Sequence, residues 1–445
     1  MPSYFGTDGI RGVAGQYPLD AATVYTIGAA LGGWLHDHHD TGPVILGQDT
    51  RESGRWIAET LAAGLQSQSC ACTFAGVITT PGIAYLARHN GMVAGVMISA
   101  SHNPYHDNGI KIFGHDGYKL PDPVELELES RIEALRAQSP RPQSLPLSLE
   151  PAGKEAYLEF LTRRLNHGGL ASLHVVLDCA QGAASELAPA LLQRLGCRTT
   201  VLNAAPDGRN INHACGSLHP EAMAAAVVAH RASCGLAFDG DADRVIFADH
   251  LGRVMDGDEA LLILARALRG QHRLDPALVI ATVMSNLALE LALRDEGVEL
   301  RRTAVGDKYV LQCMLETGAQ LGGEPSGHVI CLADATTGDG LLTGLRVLEL
   351  LGEGARLAEL RSGYTAFPQK IINVRVREKR PLEQLPAVCQ LIAEAERFFQ
   401  GRGRVLVRYS GTEPLARVMV EAGDDAEVKH HAGSIAQAIQ AAIGQ

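Results

Sequence analysis

Three short apolar segments of this sequence each run directly into a loop of small and polar residues. The three pairs are VAGVMI with SASHNP (93–104), CGLAF with DGDADR (234–244) and AQLG with GEPSGH (319–328). Short apolar strands that are bounded by Gly, Pro or Asp and separated by helical patterns are typical of α/β sheets covered by helices. Because ligands bind beyond the carboxyl ends of the strands in such sheets, we expect the three loops to meet in one cleft.

The chain is too long for a single domain. It has 445 residues, whereas one hydrophobic core stops growing at about 250–300 residues. A proline-rich linker without helical periodicity marks a first boundary near residue 145, and the last segment alternates like half-exposed strands followed by helices. The pattern predicts three α/β domains and a smaller C-terminal α+β domain, with the bounds 1–145, 152–250, 253–365 and 369–445.

Composition argues against several classes of function. A formal net charge of −11 would repel nucleic acid overall, although local cations and helix N-termini can still bind a small anionic substrate. The nine cysteines are odd in number and scattered, so a disulfide framework and structural zinc are disfavoured, and burial as small apolar residues is favoured. No signal peptide and no apolar run of the ~18–20 residues that span a bilayer is visible. We therefore expect a cytoplasmic protein without nucleic acid or membrane partners, and a homodimer is compatible with the sequence.

The DGDADR loop is a candidate metal site. Asp239, Asp241 and Asp243 would repel one another on one face of a regular strand, whereas a tight turn lets them surround a hard cation. Three anionic oxygens suit Mg²⁺, which keeps further positions for water or phosphate. The alternative is a solvated acidic turn, but the position after a buried strand and before Arg244 favours the metal.

The SASHNP loop presents a candidate phosphate carrier. Ser101 is a hydroxyl nucleophile if activated, with His102 beside it and the cation Lys111 inside the next apolar run. We expect Lys111 to transfer protons, because a partly buried lysine loses pKa readily. A polar turn at a strand end, with a lysine that extends to solvent, is the alternative, and no G-x-S-x-G motif supports an α/β-hydrolase.

Three further segments carry polar groups suited to sugar phosphates. The GEPSGH loop offers a carboxylate, a hydroxyl and an imidazole, a set that can bind sugar hydroxyls or merely cap a turn. The C-terminal RYSGTEP segment offers guanidinium, hydroxyl and amide donors for a dianionic phosphate, or is an exposed hairpin turn. Arg11, in an N-terminal FGTDGIRG segment too organised for a frayed tail, is a second candidate phosphate ligand. The candidates in the first two segments are Glu324, Ser326, His328, Arg408, Ser410, Gly411, Thr412 and Arg417.

Taken in order, these loops resemble the α-D-phosphohexomutase family, and the resemblance covers essentially the full chain. The motifs that carry it are FGTDGIRG (5–12), SASHNP, DGDADR, GEPSGH and RYSGTEP (408–414). Five other segments are similar to the branch of that family that acts on glucosamine phosphates. They are YFGTDGIRG (4–12), NGIKIF (108–113), CGSLHPE (215–221), VGDKYV (305–310) and TTGDG (336–340).

The resemblance implies three similar mixed-sheet α/β domains around a central cleft, followed by a C-terminal domain similar to the TATA-binding-protein fold. It implies that Ser101 is the phosphoserine, that Asp239, Asp241 and Asp243 hold one Mg²⁺ together with its phosphate, and that Lys111 is the general acid/base. Arg11, His102 and Arg244 would surround the transferring phosphoryl group. Glu324, Ser326 and His328 would bind the sugar. The remaining candidates, Arg408, Ser410, Gly411, Thr412 and Arg417, would hold the phosphate that does not react.

The implied reaction interconverts glucosamine 6-phosphate and glucosamine 1-phosphate through a 1,6-bisphosphate, with phosphorylation of Ser101 required and a hexose 1,6-bisphosphate as activator; the sequence does not identify what first phosphorylates Ser101. A phosphomannomutase or phosphoglucomutase is the rival within the family, and it would prefer a sugar with a 2-hydroxyl group. A sensor that binds sugar phosphates without turnover, or a Mg²⁺-dependent phosphatase, is the rival outside it. The sequence departs from the usual family pattern at Ala242, which should be tolerated unless its φ is positive, and at Pro325, which would stiffen the sugar loop.

Overall fold

The computed structural model describes residues 4–6, 8–139, 141–165, 170–410 and 414–445. Its backbone separates into two compact units. The first unit runs as far as Met284 and resumes over Val298–Ser362, and the second comprises Ser285–Gly297 and Gly363–Gln445. Three separate mixed sheets lie in the first unit, and one antiparallel sheet lies in the second.

The first sheet has six strands in the order β1-β2-β6-β5-β3-β4. Its strands are β1 (Phe5–Gly6), β2 (Gly9–Val13), β3 (Val44–Gln48), β4 (Cys72–Val77), β5 (Ala94–Ile98) and β6 (Asp107–Gly114). The accompanying helices are α1 (Ala21–Asp37), α2 (Gly54–Ser67), α3 (Thr80–His89) and α4 (Asp122–Arg136). Strand β3 is parallel to β4 and β5, whereas β6 is antiparallel to β5. Helices α1, α2 and α4 bury residues such as Ile27, Leu61 and Ile132 in one core with the strands.

The predicted linker contacts α2 and β4, and its described residues 141–151 contain no helix. The amide of Leu145 donates to the carbonyl of Glu59 at 3.0 Å, and the amide of Glu150 donates to the carbonyl of Phe74 at 2.8 Å. Its prolines explain the extended path, because proline has no amide hydrogen for a helix.

The second sheet has the order β11-β10-β9-β7-β8. Its strands are β7 (His174–Asp178), β8 (Arg198–Leu202), β9 (Cys234–Phe238), β10 (Val245–Asp249) and β11 (Val254–Met255). Its helices are α5 (Ala152–Arg163), α6 (Ala184–Arg194) and α7 (Glu221–His230), with short 3₁₀ turns at Leu170–Ser172 and Gly216–Leu218. Strand β7 is parallel to β8 and β9, and β10 is antiparallel to β9.

The third sheet has the order β13-β12-β14-β15. Its strands are β12 (Leu278–Thr282), β13 (Glu299–Thr303), β14 (Leu321–Gly323) and β15 (Val329–Cys331). The helices along this part of the chain are α8 (Gly257–Gly270), α9 (Leu287–Asp295), α10 (Asp307–Thr317), α11 (Gly340–Gly352) and α12 (Leu357–Leu360). Strand β12 is parallel to β13 and β14, and β15 is antiparallel to β14.

The three sheets share one topology, which the sequence pattern did not reveal. Each contains four strands in the spatial order second, first, third, fourth, and the fourth is antiparallel to the third. In each sheet the loop singled out in the sequence connects the third strand to the fourth. The predicted fold of three similar mixed-sheet α/β domains is thereby confirmed, and the three loops occupy equivalent places.

The second unit has a three-stranded antiparallel sheet in the order β16-β18-β17. Its strands are β16 (Gln369–Arg375), β17 (Gly403–Tyr409) and β18 (Leu415–Ala422), and its helices are α9, α13 (Pro386–Phe399) and α14 (Asp425–Ile443). A 3₁₀ turn over Leu382–Gln384 precedes α13 and is not continuous with it. Pro386 causes the break, because the residue before a proline is disfavoured in the helical conformation.

All nine cysteines are free thiols, five of them buried and four half-buried. Among the helices in the described part of the chain, none combines the length and the apolarity needed to cross a bilayer.

Candidate active site

The loops after β5, β9 and β14 contact one another directly. Ser101 of the first loop donates its hydroxyl to Asp239 Oδ2 of the second at 2.5 Å. The amide of Val245, directly after the second loop, donates to the carbonyl of Gly327 in the third at 3.1 Å. A cavity of about 380 Å³ opens beside them, and Asp243, Arg244 and Glu324 are among the residues that line it. The structure therefore brings together, within the first unit, candidates from all three sheets.

Ser101 is fully buried and has a left-handed backbone conformation with φ of +52°. Its amide donates to Ser99 Oγ at 2.9 Å, and Ser99 in turn donates to Asp49 Oδ2 at 2.6 Å. A positive φ is unfavourable for a residue with a side chain. Here it turns the hydroxyl of Ser101 towards the carboxylate of Asp239.

Asp239, Asp241 and Asp243 form a buried cluster whose carboxylate oxygens lie within 4.8 Å of one another. Within the described residues, Asp241 Oδ1 and Asp243 Oδ1 are buried and accept no hydrogen bond. Burial, followed by the charges of Asp243 and Asp241, holds the pKa of Asp239 well above its ordinary value. Three buried carboxylates that repel one another, two of them with an oxygen that accepts no hydrogen bond, fit a divalent cation with oxygen ligands.

The backbone of the DGDADR loop (residues 239–244, the metal loop) allows the three carboxylates to approach one another closely. A Cβ atom at Gly240 would lie 2.5 Å from the carbonyl oxygen of Ser101, so only glycine fits there without a displacement. Ala242 has φ of +55° and is fully buried. Ala242 was expected to be tolerated unless its φ is positive, and its φ is positive. Alanine is therefore less favourable than glycine at this position, because its Cβ atom makes a positive φ costly.

Lys111 lies on β6 with a fully buried side chain. Its Nζ is 2.9 Å from Asp241 Oδ2, 3.1 Å from Asp8 Oδ2 and 3.5 Å from Asp243 Oδ2. Burial alone would lower the pKa of Lys111, but the charges of Asp241, Asp8 and Asp243 together raise this pKa above its ordinary value. The expectation that burial lowers the pKa of Lys111 is therefore wrong for this arrangement, because the three carboxylates outweigh the effect of burial.

Arg11, His102 and Arg244 line the cavity, as a phosphoryl-binding wall would require. Arg11 forms an ion pair with Asp8, and the pKa of Arg244 is raised because the attraction of Asp243 and Asp239 exceeds the effect of burial. Burial, with the repulsion of Arg244 and Arg11, lowers the pKa of His102 to about 4. Near neutral pH the wall thus has two guanidinium groups and a neutral imidazole.

The third loop supplies Glu324, Ser326 and His328. Glu324 Oε1 accepts from the amide of Gly306 at 3.1 Å, and Ser326 Oγ lies 3.5 Å from Glu324 Oε2. His328 Nε2 accepts from the amide of Gly338 at 3.1 Å, which places the imidazole proton on Nδ1, 3.6 Å from Asp243 Oδ2. The carboxylate of Glu324 and the imidazole of His328 line the cavity, and His328 also supports the metal loop.

Pro325 lies where this loop meets the start of α8. Its carbonyl accepts from the amide of Gly257 at 3.0 Å, and a Cβ atom at Gly257 would lie 2.0 Å from the carbonyl oxygen of Glu324. The third loop therefore packs closely against the first residue of α8.

Asp8, Lys119 and Asp307 belong to the same charged network but were not selected as candidates from the sequence. Lys119 Nζ lies 2.5 Å from Asp307 Oδ2 and also pairs with Asp8, while Asp8 and Asp307 line the cavity. A signal was available, because Asp8 lies inside FGTDGIRG and Asp307 inside VGDKYV. Lys119 is in neither motif, and only the fold places it between them.

The C-terminal candidates lie in the second unit. Arg408 on β17 is directly opposite Arg417 on β18, and burial followed by the charge of Arg417 lowers the pKa of Arg408. Ser410 is buried at the end of β17, and its carbonyl accepts from Lys379 Nζ at 2.6 Å. Like charges opposite each other in antiparallel strands are unfavourable unless an anion joins them. Gly411 and Thr412 lie outside the described residues.

Models of the phosphoglucomutase/phosphomannomutase domains match almost the whole chain. The alpha/beta/alpha domains I, II and III match residues 2–139, 155–252 and 256–367, and the C-terminal domain matches residues 371–438. The phosphoglucosamine mutase of Solibacter usitatus is 52% identical over 99% of both chains. The phosphoglucosamine mutase of Koribacter versatilis is 50% identical over 99% of this chain and 97% of its own length.

The chain belongs to the phosphoglucosamine mutase branch of the α-D-phosphohexomutase family. Enzymes of this family are isomerases of the mutase type, and so is this chain. A phosphoglucomutase/phosphomannomutase family protein from Burkholderia thailandensis has the same fold, with a TM-score of 0.81, 27% identity and coverage of 99% of this chain and 98% of its own. The fold is also shared with the N-acetylphosphoglucosamine mutase of Aspergillus fumigatus, with a TM-score of 0.67, 17% identity and coverage of 100% and 96%.

Proposed function

We propose that this phosphohexomutase interconverts glucosamine 6-phosphate and glucosamine 1-phosphate, with Ser101 as the phosphoryl carrier. The observation that carries the proposal is the contact of the Ser101 hydroxyl with the buried Asp239–Asp241–Asp243 cluster, at 2.5 Å from Asp239. Relatives that are about half identical over nearly the full chain are phosphoglucosamine mutases, which supports the choice of an amino sugar.

The reaction consists of two phosphoryl transfers in opposite directions. The O1 hydroxyl of glucosamine 6-phosphate attacks the phosphorus of phosphorylated Ser101, the bond from phosphorus to Ser101 Oγ breaks, and a 1,6-bisphosphate forms. After the bisphosphate has turned round, Ser101 Oγ attacks the phosphorus at position 6, and glucosamine 1-phosphate leaves. The proton lost from O1 in the first transfer returns to O6 in the second, so the cycle is balanced. A hexose 1,6-bisphosphate would start the cycle by phosphorylating Ser101.

Asp239, Asp241 and Asp243 are the residues that would hold Mg²⁺, with the phosphate of Ser101 as a further ligand. The cation would neutralise charge on the transferring phosphoryl group, which is the main requirement of this chemistry. Arg11 and Arg244 contribute fixed positive charge on the cavity wall, and neutral His102 contributes a hydrogen bond. Lys111 Nζ is the group that holds and transfers the proton, and its three carboxylate contacts fix its position.

Recognition of the sugar and recognition of its second phosphate use different segments. Glu324, Ser326 and His328 would bind the sugar from the third loop. Arg408, Ser410, Gly411, Thr412 and Arg417 would bind the phosphate that does not react. The opposed pair Arg408 and Arg417 supports that role, because a dianion relieves the repulsion between them. The homodimer, the cytoplasmic location and the absence of nucleic acid or membrane partners stay predictions from the sequence.

A comparison of three substrates tests the proposal. The phosphorylated protein with Mg²⁺ and a trace of hexose 1,6-bisphosphate is assayed with glucosamine, glucose and mannose 6-phosphates, and kcat/KM is measured for each. A clear preference for glucosamine 6-phosphate is expected. A preference for glucose or mannose would assign the chain to the rival sugars, and no turnover of any of the three would leave a sugar-phosphate sensor.

A further inference from the structure

Arg51 is a fully buried arginine beneath the loop that carries Ser101. It follows β3 in the connection to α2, and its side chain has no exposed surface. Its Nε donates to Asp49 Oδ2 at 2.9 Å, so its charge is balanced by a buried carboxylate. A buried ion pair of this kind is not by itself evidence that the pair stabilises the fold. The position of Arg51 therefore requires another explanation.

The guanidinium group of Arg51 binds the inner side of the whole Ser101 loop. Its Nη2 donates to the carbonyls of Ser101 at 2.9 Å and Asn103 at 2.8 Å. Its Nη1 donates to the carbonyl of Asp107 at 3.0 Å and also to that of Pro104. One planar group thus fixes four carbonyls of seven consecutive residues, which only the forked donors of arginine can do.

Asn212, from the chain between β8 and α7, binds the same loop. Its Nδ2 donates to the carbonyl of Ser101 at 2.8 Å and to that of Asn103 at 3.1 Å. The carbonyl of Ser101 is therefore held by two residues from connecting segments, Arg51 after β3 of the first sheet and Asn212 after β8 of the second. Because Ser101 has a positive φ, which relaxed chains avoid, these contacts oppose relaxation of the loop.

We propose that Arg51, assisted by Asn212, is a positioning residue that keeps Ser101 fixed while the sugar, and not the protein, changes orientation. The proposal rests on the proposed function only in taking Ser101 as the phosphoryl carrier. The carrier must meet first O1 and then O6 at one place, and phosphoryl transfer loses rate steeply when the reacting atoms are misplaced. Arg51 is not among the residues that line the cavity, so it acts through Ser101 and not on the substrate.

The test is the variant Arg51→Lys, in the full-length protein with Mg²⁺. Lysine keeps the charge beside Asp49 but cannot reproduce the planar fork. We expect kcat to fall by roughly 10- to 100-fold, the cost of a misplaced reacting group, while KM for glucosamine 6-phosphate changes by less than about twofold because no substrate contact is lost. Mass spectrometry of Ser101 phosphorylation by hexose 1,6-bisphosphate should show a slower reaction in the same proportion.

Arg346→Lys is the matched control. Arg346 also donates to a backbone carbonyl, that of Arg164 at 2.8 Å, and to a carboxylate, Asp334 at 2.7 Å, and it is mostly buried. We expect Arg346→Lys to lose about as much thermal stability as Arg51→Lys, but to keep the wild-type kcat. An equal fall of kcat in both variants would mean that Arg51 only stabilises the fold, and an unchanged kcat in Arg51→Lys would overturn the proposal.

Asn212→Ala provides a second variant that does not disturb the buried ion pair. It removes the two hydrogen bonds to Ser101 and Asn103, and a fall of kcat of about threefold to tenfold with little change of KM is expected. If Arg51→Lys does not fold, this variant decides, and a wild-type kcat would refute the positioning role. Each variant is measured with glucosamine 6-phosphate and with glucose 6-phosphate, so that failure of the proposed function can be distinguished from failure of the positioning role. The proposed function depends on which sugar gives the higher kcat/KM. The positioning role depends on the ratio of variant to wild-type kcat, whichever sugar is preferred.

Discussion

The Ser101 loop (residues 99–106) and the metal loop (residues 239–244) connect equivalent strands of their two sheets, yet their polar groups are satisfied in different ways. In the Ser101 loop, carbonyl oxygens are bound by Arg51 and Asn212. In the metal loop, two carboxylate oxygens of the described residues are buried without a hydrogen bond, and three like charges lie together. Hydrogen bonds from the protein thus hold the backbone of the first loop, whereas the clustered carboxylates of the second loop fit a bound cation.

The two loops therefore differ in what supports them. Hydrogen bonds from the protein hold the backbone of the Ser101 loop, whereas the metal loop concentrates negative charge. Each loop contains one residue with a side chain and a positive φ, Ser101 at +52° and Ala242 at +55°. The strain at Ser101 is opposed by hydrogen bonds from the protein. We expect the metal loop to gain its corresponding support when a cation is bound.

The largest effect should follow from Ser101→Ala. Loss of the carrier is expected to reduce mutase activity by about 10³-fold or more, as is typical for removal of a nucleophile, while the thermal unfolding midpoint stays close to the wild-type value. Coupled assays and thermal unfolding of the same preparations would check this. The exposed helix residue Ser130 provides the control Ser130→Ala, and wild-type turnover in Ser101→Ala would exclude Ser101 as carrier.

Asp241→Asn tests whether a cation binds to the metal loop. We expect kcat to fall on the order of 100-fold, because charge neutralisation at the phosphoryl group is weakened. Mg²⁺ should raise the unfolding midpoint of the wild-type protein but hardly that of the variant, since binding to the native state alone produces the shift.

Asp116→Asn, on an exposed turn after β6, is the control for the loss of one carboxylate. It should retain the wild-type response to Mg²⁺. An equal response of Asp241→Asn and the wild-type protein would show that Mg²⁺ does not bind at the three aspartates.

Arg408→Ala extends the comparison to the like charges of Arg408 and Arg417, which lie opposite each other on β17 and β18. KM should rise by roughly 10- to 100-fold, the value of one or two charged hydrogen bonds, with a smaller change in kcat. Steady-state kinetics with glucosamine 6-phosphate measures the effect, and Arg301→Ala, at an exposed site on β13, is the control. A KM equal to that of the wild-type protein would place the phosphate anchor elsewhere.

The smallest effect is expected from Ala242→Gly. Glycine adopts a positive φ without the steric cost that alanine pays, so the metal-free protein should become more stable by about 1 kcal/mol. Thermal unfolding without Mg²⁺ measures this gain, and Ala226→Gly in α7 should instead destabilise, because glycine weakens a helix. Destabilisation by Ala242→Gly would mean that the methyl group contributes packing that exceeds the strain.

The parts of the site that the sequence predicted are those encoded in one continuous segment. Ser101, the three aspartates and Glu324 each follow an apolar strand, and the equivalent topology of the sheets brings the loops together. Arg51 and Asn212 could not be predicted in this way, because each is far from Ser101 in the chain and acts only through backbone carbonyls. A long-range effect also explains the error for Lys111, whose pKa depends on carboxylates from two distant segments.

The shared strand order has a consequence for how such an enzyme can diversify. Each sheet supplies one connection, so the proposed phosphoryl carrier, metal ligands and sugar-binding residues are encoded in three separate segments of a threefold repeat. Replacement of the GEPSGH segment could alter the choice of hexose and leave the transfer chemistry in place. His328 is where that independence ends, because it lies 3.6 Å from Asp243 and would have to be retained in any exchange of modules.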